Sequence, residues 1–275
     1  MKDLYSDYEI QQKAILIRRH VVKMAFDGKT SHVGSSLSCV DLLCALYFRI
    51  MKTDPKKWDD PNYDRFILSK GHGVMAWFAT LAERGFFGVN TLKEYATDGG
   101  RLGEHPSHGL LPGIKVSTGS LGHGLSIGLG MALAKRMDQS PAKIFVLLSD
   151  GECNEGSVWE AAMYAARHKL DNLVTLIDYN KIQAMGRSNE VNALEPLSDK
   201  WRAFGWAVQE INGHNLEEIM ATLEHLPFQS GKPSAVVAHT VLGKGVSFMQ
   251  DDLLWHYQVP SETQVKQALE ELKLS

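Results

Sequence analysis

The chain has 275 residues, of which 44% are hydrophobic and 22% are charged, a composition typical of a soluble globular protein with a sizeable core. Its 29 basic and 32 acidic side chains give a net charge of −3, so charge alone predicts neither nucleic acid nor an anionic membrane as a partner. No apolar stretch approaches the roughly 20 residues that cross a bilayer, and the polar N-terminus lacks a signal-peptide core. We therefore expect a cytoplasmic protein.

The three cysteines predict neither a disulfide framework nor a zinc site, because no CxxC pair occurs among Cys39, Cys44 and Cys153. Cys39 and Cys44 lie in an apolar segment that is typical of a core. Cys153 has no base near it in the sequence, so we expect it to be a bystander rather than a nucleophile.

The N-terminal half of the chain is predicted to be mainly helical. Apolar residues at helical spacing predict a helix over residues 9–26, and the segments 39–50 and 74–85 predict two more. Gly85 is the expected C-cap of the last helix. Residues 65–73 predict a short strand that meets a glycine-bounded turn.

Two stretches rich in small residues interrupt this pattern. Residues 28–38, GKTSHVGSSLS, are expected to separate the first two helices. Residues 97–124 are rich in glycine and contain two prolines, which predicts a long loop. Loops of this length are usually functional. Residues 125–137 then predict a small-residue helix suited to close packing.

Strands and helices alternate from residue 143 onward. The predicted elements are strands at 143–148, 173–178, 206–211 and 234–241, and helices at 154–169 and 215–226. Capping boxes are expected at Asn215 with Glu218 and at Ser261 with Gln264, the latter before a C-terminal helix. The alternation and the continuously apolar strands predict an α/β fold with a parallel sheet flanked by helices on both faces.

Two polar positions at the ends of successive strands predict a ligand site. Asp150 and Gly151 follow the strand at 143–148, and Asn180 follows the strand at 173–178. Neighbouring strands lie roughly 4.8 Å apart, so the Asp150 and Asn180 oxygens could bind one Mg²⁺ or Ca²⁺ ion. Gly151 permits close approach of a ligand, and a helix beginning near Asn154 would direct free N–H groups toward phosphate. Either polar residue alone is more often a cap or a turn residue. The pair predicts a metal-bridged diphosphate.

These motifs resemble the thiamine diphosphate signature, and the N-terminal, cofactor-binding half of transketolase is the best match. The resemblance begins with Asp150-Gly151, the following NEG, and Asn180 thirty residues after the aspartate. It covers nearly the whole chain through five further blocks: GKTSHVG at 28–34, DRFILSKGHG at 64–73, EHPSHG at 104–109, STGSLGHG at 117–124 and GKGVSFM at 243–249.

The resemblance implies specific site residues. Mg²⁺, for which Ca²⁺ or Mn²⁺ could substitute, would be bound by Asp150, Asn180 and the carbonyl of Ile182. The implied residues around thiamine diphosphate are His32, His72, Gly119, Leu121, Asp150, Gly151, Glu152, Asn180, Ile182, Lys244 and His256. The implied catalytic residues are His32, which would help proton transfer, His105, which would hold a donor hydroxyl, and His256. Glu155 matches a glutamate at the family's subunit interface.

The sequence around three of these histidines independently supports a functional role for them. His32, His72 and His105 each lie in a glycine-bearing loop, where function is common, and imidazole suits proton transfer near neutral pH. Surface or capping roles are expected for His20, His168, His214, His225 and His239. The roles of His108 and His123 stay open. The sequence departs from the family at Ser149, which replaces a glycine, and at Ala184, where relatives often carry a larger aliphatic residue facing the cofactor.

The resemblance implies a single thiamine-diphosphate-binding domain over residues 1–275, with a pyrimidine-binding domain on a partner chain. We expect the cofactor-binding subunit of a split transketolase, active only in an α2β2 heterotetramer with a C-terminal, pyrimidine-binding subunit. It would transfer a two-carbon ketol unit from a ketose phosphate to an aldose.

Three alternatives remain. One is the cofactor-binding subunit of a 2-oxoacid dehydrogenase decarboxylase, against which the SHVG and STGSLGHG blocks argue. A deoxyxylulose-phosphate synthase usually keeps both halves in one chain. A non-catalytic nucleotide- or metal-binding module would explain Asp150 and the glycines but not the histidine-bearing loops.

Overall fold

The computed structural model describes residues 5–274 and contains a five-stranded parallel sheet. The strands are β1 (Arg65–Leu68), β2 (Ile144–Ser149), β3 (Leu173–Tyr179), β4 (Ile182–Gln183), β5 (Gly186–Arg187), β6 (Ala207–Asn212) and β7 (Ser234–His239). Strands β1-β2-β3-β7-β6 form the main sheet in that order, with every neighbouring pair parallel, and β4 and β5 form a small antiparallel hairpin. The predicted parallel sheet is confirmed.

Helices occupy the segments between the strands. They are α1 (Asp7–Asp27), α2 (Val33–Ser38), α3 (Val40–Ala45), α4 (Val74–Arg84), α5 (Gly124–Met137), α6 (Gly156–Arg167), α7 (Ser188–Val191), α8 (Leu197–Ala203), α9 (Leu216–Leu223) and α10 (Glu262–Glu271). A π-helical turn, Leu46–Ile50, continues α3. Gly85 ends α4 in a left-handed conformation with φ 91°, and Ser261 and Gln264 form the expected capping box of α10. Among residues 5–274, no helix is both long enough and apolar enough to cross a membrane.

The sheet separates two apolar cores, which accounts for its continuously apolar strands. Along β2, Phe145 and Leu147 pack into the core shared with α1, α3 and α4. Ile144, Val146 and Leu148 pack on the opposite face, with α5, α6 and α8. Both faces of the sheet are therefore covered by helices, as the sequence predicts.

Three local predictions differ from the structure. Residues 28–38 contain α2 instead of an interruption, because packing that buries all six of its residues overcomes the low helix propensity of glycine and serine. The helix expected from Asn154 begins at Gly156, since Gly151–Asn154 form a 3₁₀ turn and Glu155 is extended. Asn215 accepts a hydrogen bond from the Glu218 N–H, but the Glu218 carboxylate accepts from the N–H of Asn212, so the reciprocal half of that capping box is absent.

Candidate functional site

The carboxyl edge of the sheet forms one wall of a cavity of about 560 Å³. Strands β2 and β3 are neighbours, with Ser149 in register with Asp178, so Asp150 and Asn180 lie at the same edge. The cavity brings together ten of the predicted site residues: His32, His72, His105, Gly119, Leu121, Asp150, Gly151, Asn180, Ile182 and His256. Its other lining residues are Ser35, Ser149, Asn154, Glu155, Gln183, Ala184, Met185, Val191 and Asn192.

Asp150 is a buried carboxylate held by neutral donors. Its Oδ1 accepts from the N–H of Gly151 at 2.8 Å, and its Oδ2 accepts from the N–H of Lys181 at 2.9 Å and the Ser188 hydroxyl at 2.7 Å. Burial raises the pKa of Asp150 to about 6, although the Ser188 hydrogen bond acts in the opposite direction. A bound cation would offset the cost of burying this charge, so the residue fits the role of a metal ligand.

The orientation of the Asn180 amide follows from the hydroxyl beside it. The Ser38 hydroxyl hydrogen can point to Asp178 Oδ2 at 2.6 Å or to the Ser35 carbonyl at 3.0 Å, and both of these oxygens only accept. Ser38 Oγ must therefore accept from Asn180 Nδ2, which lies 3.4 Å away. Asn180 Oδ1, which accepts from the N–H of Ile182 at 3.0 Å, is thus the oxygen left to face a cation.

The donor set at the sheet edge suits a hard cation. Asp150, Asn180 and Ile182 would supply a carboxylate, an amide oxygen and a backbone carbonyl, the ligand chemistry that Mg²⁺ prefers. Within residues 5–274, this edge included, no group of three or more His, Cys, Asp or Glu residues forms a metal-binding cluster. The residues present fit Mg²⁺, and the ion itself stays a prediction.

Two residues near this edge have a left-handed backbone that is uncommon outside glycine. Lys181 has φ 68° and His32 has φ 65°. Lys181 is held there by its N–H bond to Asp150 and by its carbonyl, which accepts from the N–H of Ser188 at 3.0 Å. Such backbone strain costs on the order of 1–3 kcal/mol and concentrates at functional sites.

Three histidines that line the cavity form a cluster. The ring centroids of His32, His72 and His256 are 5.1 to 5.9 Å apart. Burial lowers the pKa of all three, to well below the usual value for His72 and to about 4 for His256. Among the described residues, Nδ1 of His32 and Nδ1 of His256 are buried without a hydrogen-bond partner. The cluster is therefore neutral near pH 7 and offers free ring nitrogens.

His105 reaches the cavity from the long loop. Residues 97–123 carry no helix or strand beyond an isolated bridge at Leu102, which confirms the predicted loop. A Cβ on Gly119 would lie 3.0 Å from His105 Cδ2, so the glycine allows the imidazole to pack against the backbone. His108 and His123 are exposed and are not among the residues that line the cavity.

Glu152 does not line the cavity, in contrast to its predicted contact with the cofactor. It is fully buried, and its carboxylate accepts from the Ser69 hydroxyl, the N–H of Gly122 at 3.0 Å and the N–H of Ser149 at 2.9 Å. Its carboxylate is thus used to join the ends of β1 and β2 to the loop that carries Gly119 and Leu121.

Lys244 is also placed away from the cavity. Its carbonyl accepts from Arg18 Nε at 3.0 Å, and it lines a separate cavity of about 640 Å³ beside Asp41 and His214. The turn from Val241 to Lys244, closed by a hydrogen bond between their backbones, directs the chain toward α1 and away from the sheet edge.

A buried ion pair beneath the cavity has no counterpart among the sequence predictions. Lys70 and Asp178 are both fully buried, and Lys70 Nζ donates to the Asp178 carboxylate and to the Ser35 carbonyl. The Thr240 and Ser38 hydroxyls also donate to Asp178. Lys70 follows β1 and Asp178 lies near the end of β3, with β2 between these strands in the sheet. Their positions at strand ends are the only local signal, since 108 residues separate them.

The remaining candidates lie outside the chemistry of the cavity. Burial raises the pKa of Cys153 well above its usual value, which disfavours the thiolate that a nucleophile needs. The histidines expected to have surface or capping roles are outside the cavity lining: His20, His168, His214, His225 and His239.

Comparisons with known proteins identify the family of the chain. The family described as "Transketolase, thiamine diphosphate binding domain" matches residues 10–274. The chain is 44% identical over 255 residues to a subunit of the apulose-4-phosphate transketolase of Phocaeicola vulgatus, covering 93% of this chain and 90% of that protein. It is also 44% identical over 265 residues to a 6-deoxy-6-sulfo-D-fructose transketolase subunit of Clostridium sp., covering 96% of each.

Solved transketolases share the fold over nearly the whole chain. The enzyme from Campylobacter jejuni superposes with a TM-score of 0.90 at 28% identity, and that from Leishmania mexicana with a TM-score of 0.89 at 27% identity. These matches cover 98% and 96% of this chain but only 43% and 41% of those longer proteins. The chain belongs to the transketolase family and carries its thiamine diphosphate binding domain.

Proposed function

We propose that this chain is the cofactor-binding subunit of a two-component transketolase that uses thiamine diphosphate with Mg²⁺. The main support is that Asp150 and Asn180 follow adjacent strands and share one cavity with four histidines. The family match disfavours two of the alternatives, the cofactor-binding subunit of a 2-oxoacid dehydrogenase decarboxylase and a non-catalytic nucleotide- or metal-binding module.

The chemistry that bound thiamine diphosphate supplies is transfer of a two-carbon ketol unit from a ketose donor to an aldose acceptor. Asp150, Asn180 and the Ile182 carbonyl would hold Mg²⁺, which neutralises and positions the diphosphate. The neutral imidazoles of His32 and His256, whose Nδ1 atoms have no hydrogen-bond partner among residues 5–274, would assist proton transfer.

His72 and His105 would have different roles. The half-buried His72 ring is stacked on the His256 ring, with the centroids 5.9 Å apart, and would support that ring. The exposed His105, which lines the cavity, would hold a hydroxyl of the donor sugar. The loop that carries Gly119 and Leu121 would line the cofactor rings.

We further propose that the chain works with a separate, C-terminal, pyrimidine-binding subunit in an α2β2 heterotetramer. Support comes from two relatives of nearly the same length, each of which is named as one subunit of a transketolase. In this proposal residues 1–275 form one cofactor-binding domain, Glu155 lies at the subunit interface, the substrates are sugar phosphates, and the assembly works in the cytoplasm.

Two substitutions test the separation of cofactor binding from turnover. Asp150→Ala is expected to abolish Mg²⁺-dependent binding of thiamine diphosphate in calorimetry. His105→Ala is expected to retain that binding and to lower kcat by about 10- to 100-fold, the range for one hydrogen bond to a polar substrate. Asp138→Ala, at the exposed end of α5, is the matched control.

Two results would contradict the proposal. Unchanged cofactor affinity in Asp150→Ala would exclude the metal assignment. Full ketol transfer by the purified chain with only Mg²⁺ and thiamine diphosphate would exclude an obligatory partner.

A further inference from the structure

Three side-chain amides in the cavity form a directed chain of hydrogen bonds. Asn192 Nδ2 donates to Asn154 Oδ1 at 3.1 Å, and Asn154 Nδ2 donates to Gln183 Oε1 at 3.3 Å. All three residues line the cavity. They come from three different segments, the end of α7, the 3₁₀ turn after β2, and β4, so the chain of amides joins separate parts of the wall.

This chain of amides ends in an unsatisfied donor. Gln183 Nε2 is buried and has no hydrogen-bond partner among residues 5–274. Buried amide nitrogens nearly always have an acceptor, and leaving one unpaired carries a free-energy penalty. Gln183 lines the cavity and its Oε1 is already used by Asn154, so an acceptor for Nε2 would have to come from a bound ligand.

The position of Gln183 indicates which ligand group supplies that acceptor. A Cβ on Gly151 would lie 3.4 Å from Gln183 Cδ and Cγ, so the glutamine side chain packs across the glycine that follows Asp150. A ligand bound to a cation at Asp150 and Asn180 would present its oxygens at this place. Diphosphate oxygens carry negative charge and only accept hydrogen bonds, which matches the free N–H.

We propose that Gln183 donates its Nε2–H to a diphosphate oxygen of thiamine diphosphate, with Asn154 and Asn192 as positioning residues for the amide. This inference rests on the proposed function. Because the amide donor is neutral, it would bind a hydrogen-bond acceptor without adding charge to the cavity that contains the proposed Mg²⁺ ligands.

Two substitutions of Gln183 separate a donor role from a packing role. Gln183→Leu removes the amide and should weaken thiamine diphosphate binding by about 10- to 100-fold, the range for a hydrogen bond to a charged group. Gln183→Glu keeps the shape and the acceptor for Asn154, but puts a carboxylate against the diphosphate. It should therefore weaken binding more than Gln183→Leu, although it preserves packing better.

The measurement is calorimetry of the full chain with Mg²⁺, in the absence and in the presence of the partner, using thiamine diphosphate and inorganic pyrophosphate as separate ligands. Both ligands should lose affinity in the Gln183 variants. Asn192→Ala leaves the donor in place and should weaken binding only severalfold, and Asn192→Gln should rescue part of that loss. Gln209→Glu, exposed on β6, is the matched control for the added charge.

The outcomes distinguish this inference from the proposed function. If the wild-type protein binds neither ligand, the proposed function fails. If the wild type binds and Gln183→Glu binds equally tightly or more tightly, the donor assignment is overturned. If the variants bind the cofactor normally but show a raised KM for the sugar, the acceptor belongs to the substrate and the inference is also overturned. Should Gln183→Leu fail to fold, the isosteric Gln183→Glu variant still decides.

Discussion

The buried histidine cluster should make the cofactor-free protein sensitive to mild acid. Burial, reinforced by repulsion from His32 and Lys70, lowers the pKa of His256 from about 6.5 to about 4 in the folded state. Below pH 6.5 the unfolded chain therefore binds a proton that the folded chain excludes, and stability is lost as pH falls from 6.5 toward 4. The full window corresponds to about 3 kcal/mol, and the interval from pH 7 to pH 5 to about 2 kcal/mol.

His256→Gln isolates this contribution. The free energy of unfolding is measured by urea titration with tryptophan fluorescence at pH 7 and at pH 5. Its fall between the two pH values should be about 2 kcal/mol smaller in the variant than in the wild type. The same substitution at exposed His225, on the surface beside α9, controls for the loss of an imidazole. Equal losses in wild type and His256→Gln would refute the assignment of a neutral, buried His256.

Two further predictions concern the groups beneath the cavity. Ser38→Ala removes the hydroxyl that orients the Asn180 amide. It should weaken Mg²⁺ binding, measured in cofactor-binding titrations, by about 10- to 100-fold, as is usual when a group that orients a metal ligand is lost. An unchanged Mg²⁺ concentration at half-saturation would contradict this role. Lys70→Met leaves Asp178 buried without its cation and should lower the free energy of unfolding by about 3–5 kcal/mol, with partial recovery in Lys70→Met/Asp178→Asn. A fall of less than about 1 kcal/mol in the free energy of unfolding, measured with urea, would show that the buried Asp178 does not depend on its ion pair with Lys70.

The sheet edge could be predicted from the sequence because its signals are local. Continuous apolar runs mark β2 and β3, and the polar residues Asp150 and Asn180 directly follow them. A helix that packs back along the sheet brings two such ends to one side, and the two residues can share a ligand because the strands prove to be neighbours. The residues that form the floor of the site have no such pattern.

The features that the sequence does not reveal depend on contacts between distant segments. Lys70 and Asp178 look like ordinary polar residues at strand ends until the fold buries both. The helix α2 consists largely of residues with low helix propensity and forms because it is fully enclosed. Lys244 is implied as a site residue by a motif alone, and the turn that takes it toward Arg18 has no local signature.

The two walls of the cavity belong to different cores. His32, His72 and His256 are attached to α2, α4 and Trp255, which pack in the first core, whereas Asp150 and Gly151 lead from β2 into α6, which packs in the second. The spacing between the proton-handling groups and the cofactor anchor is thus set by how these two layers of helices sit on the sheet. Repacking a residue such as Leu37, deep in the first core, would therefore change that spacing.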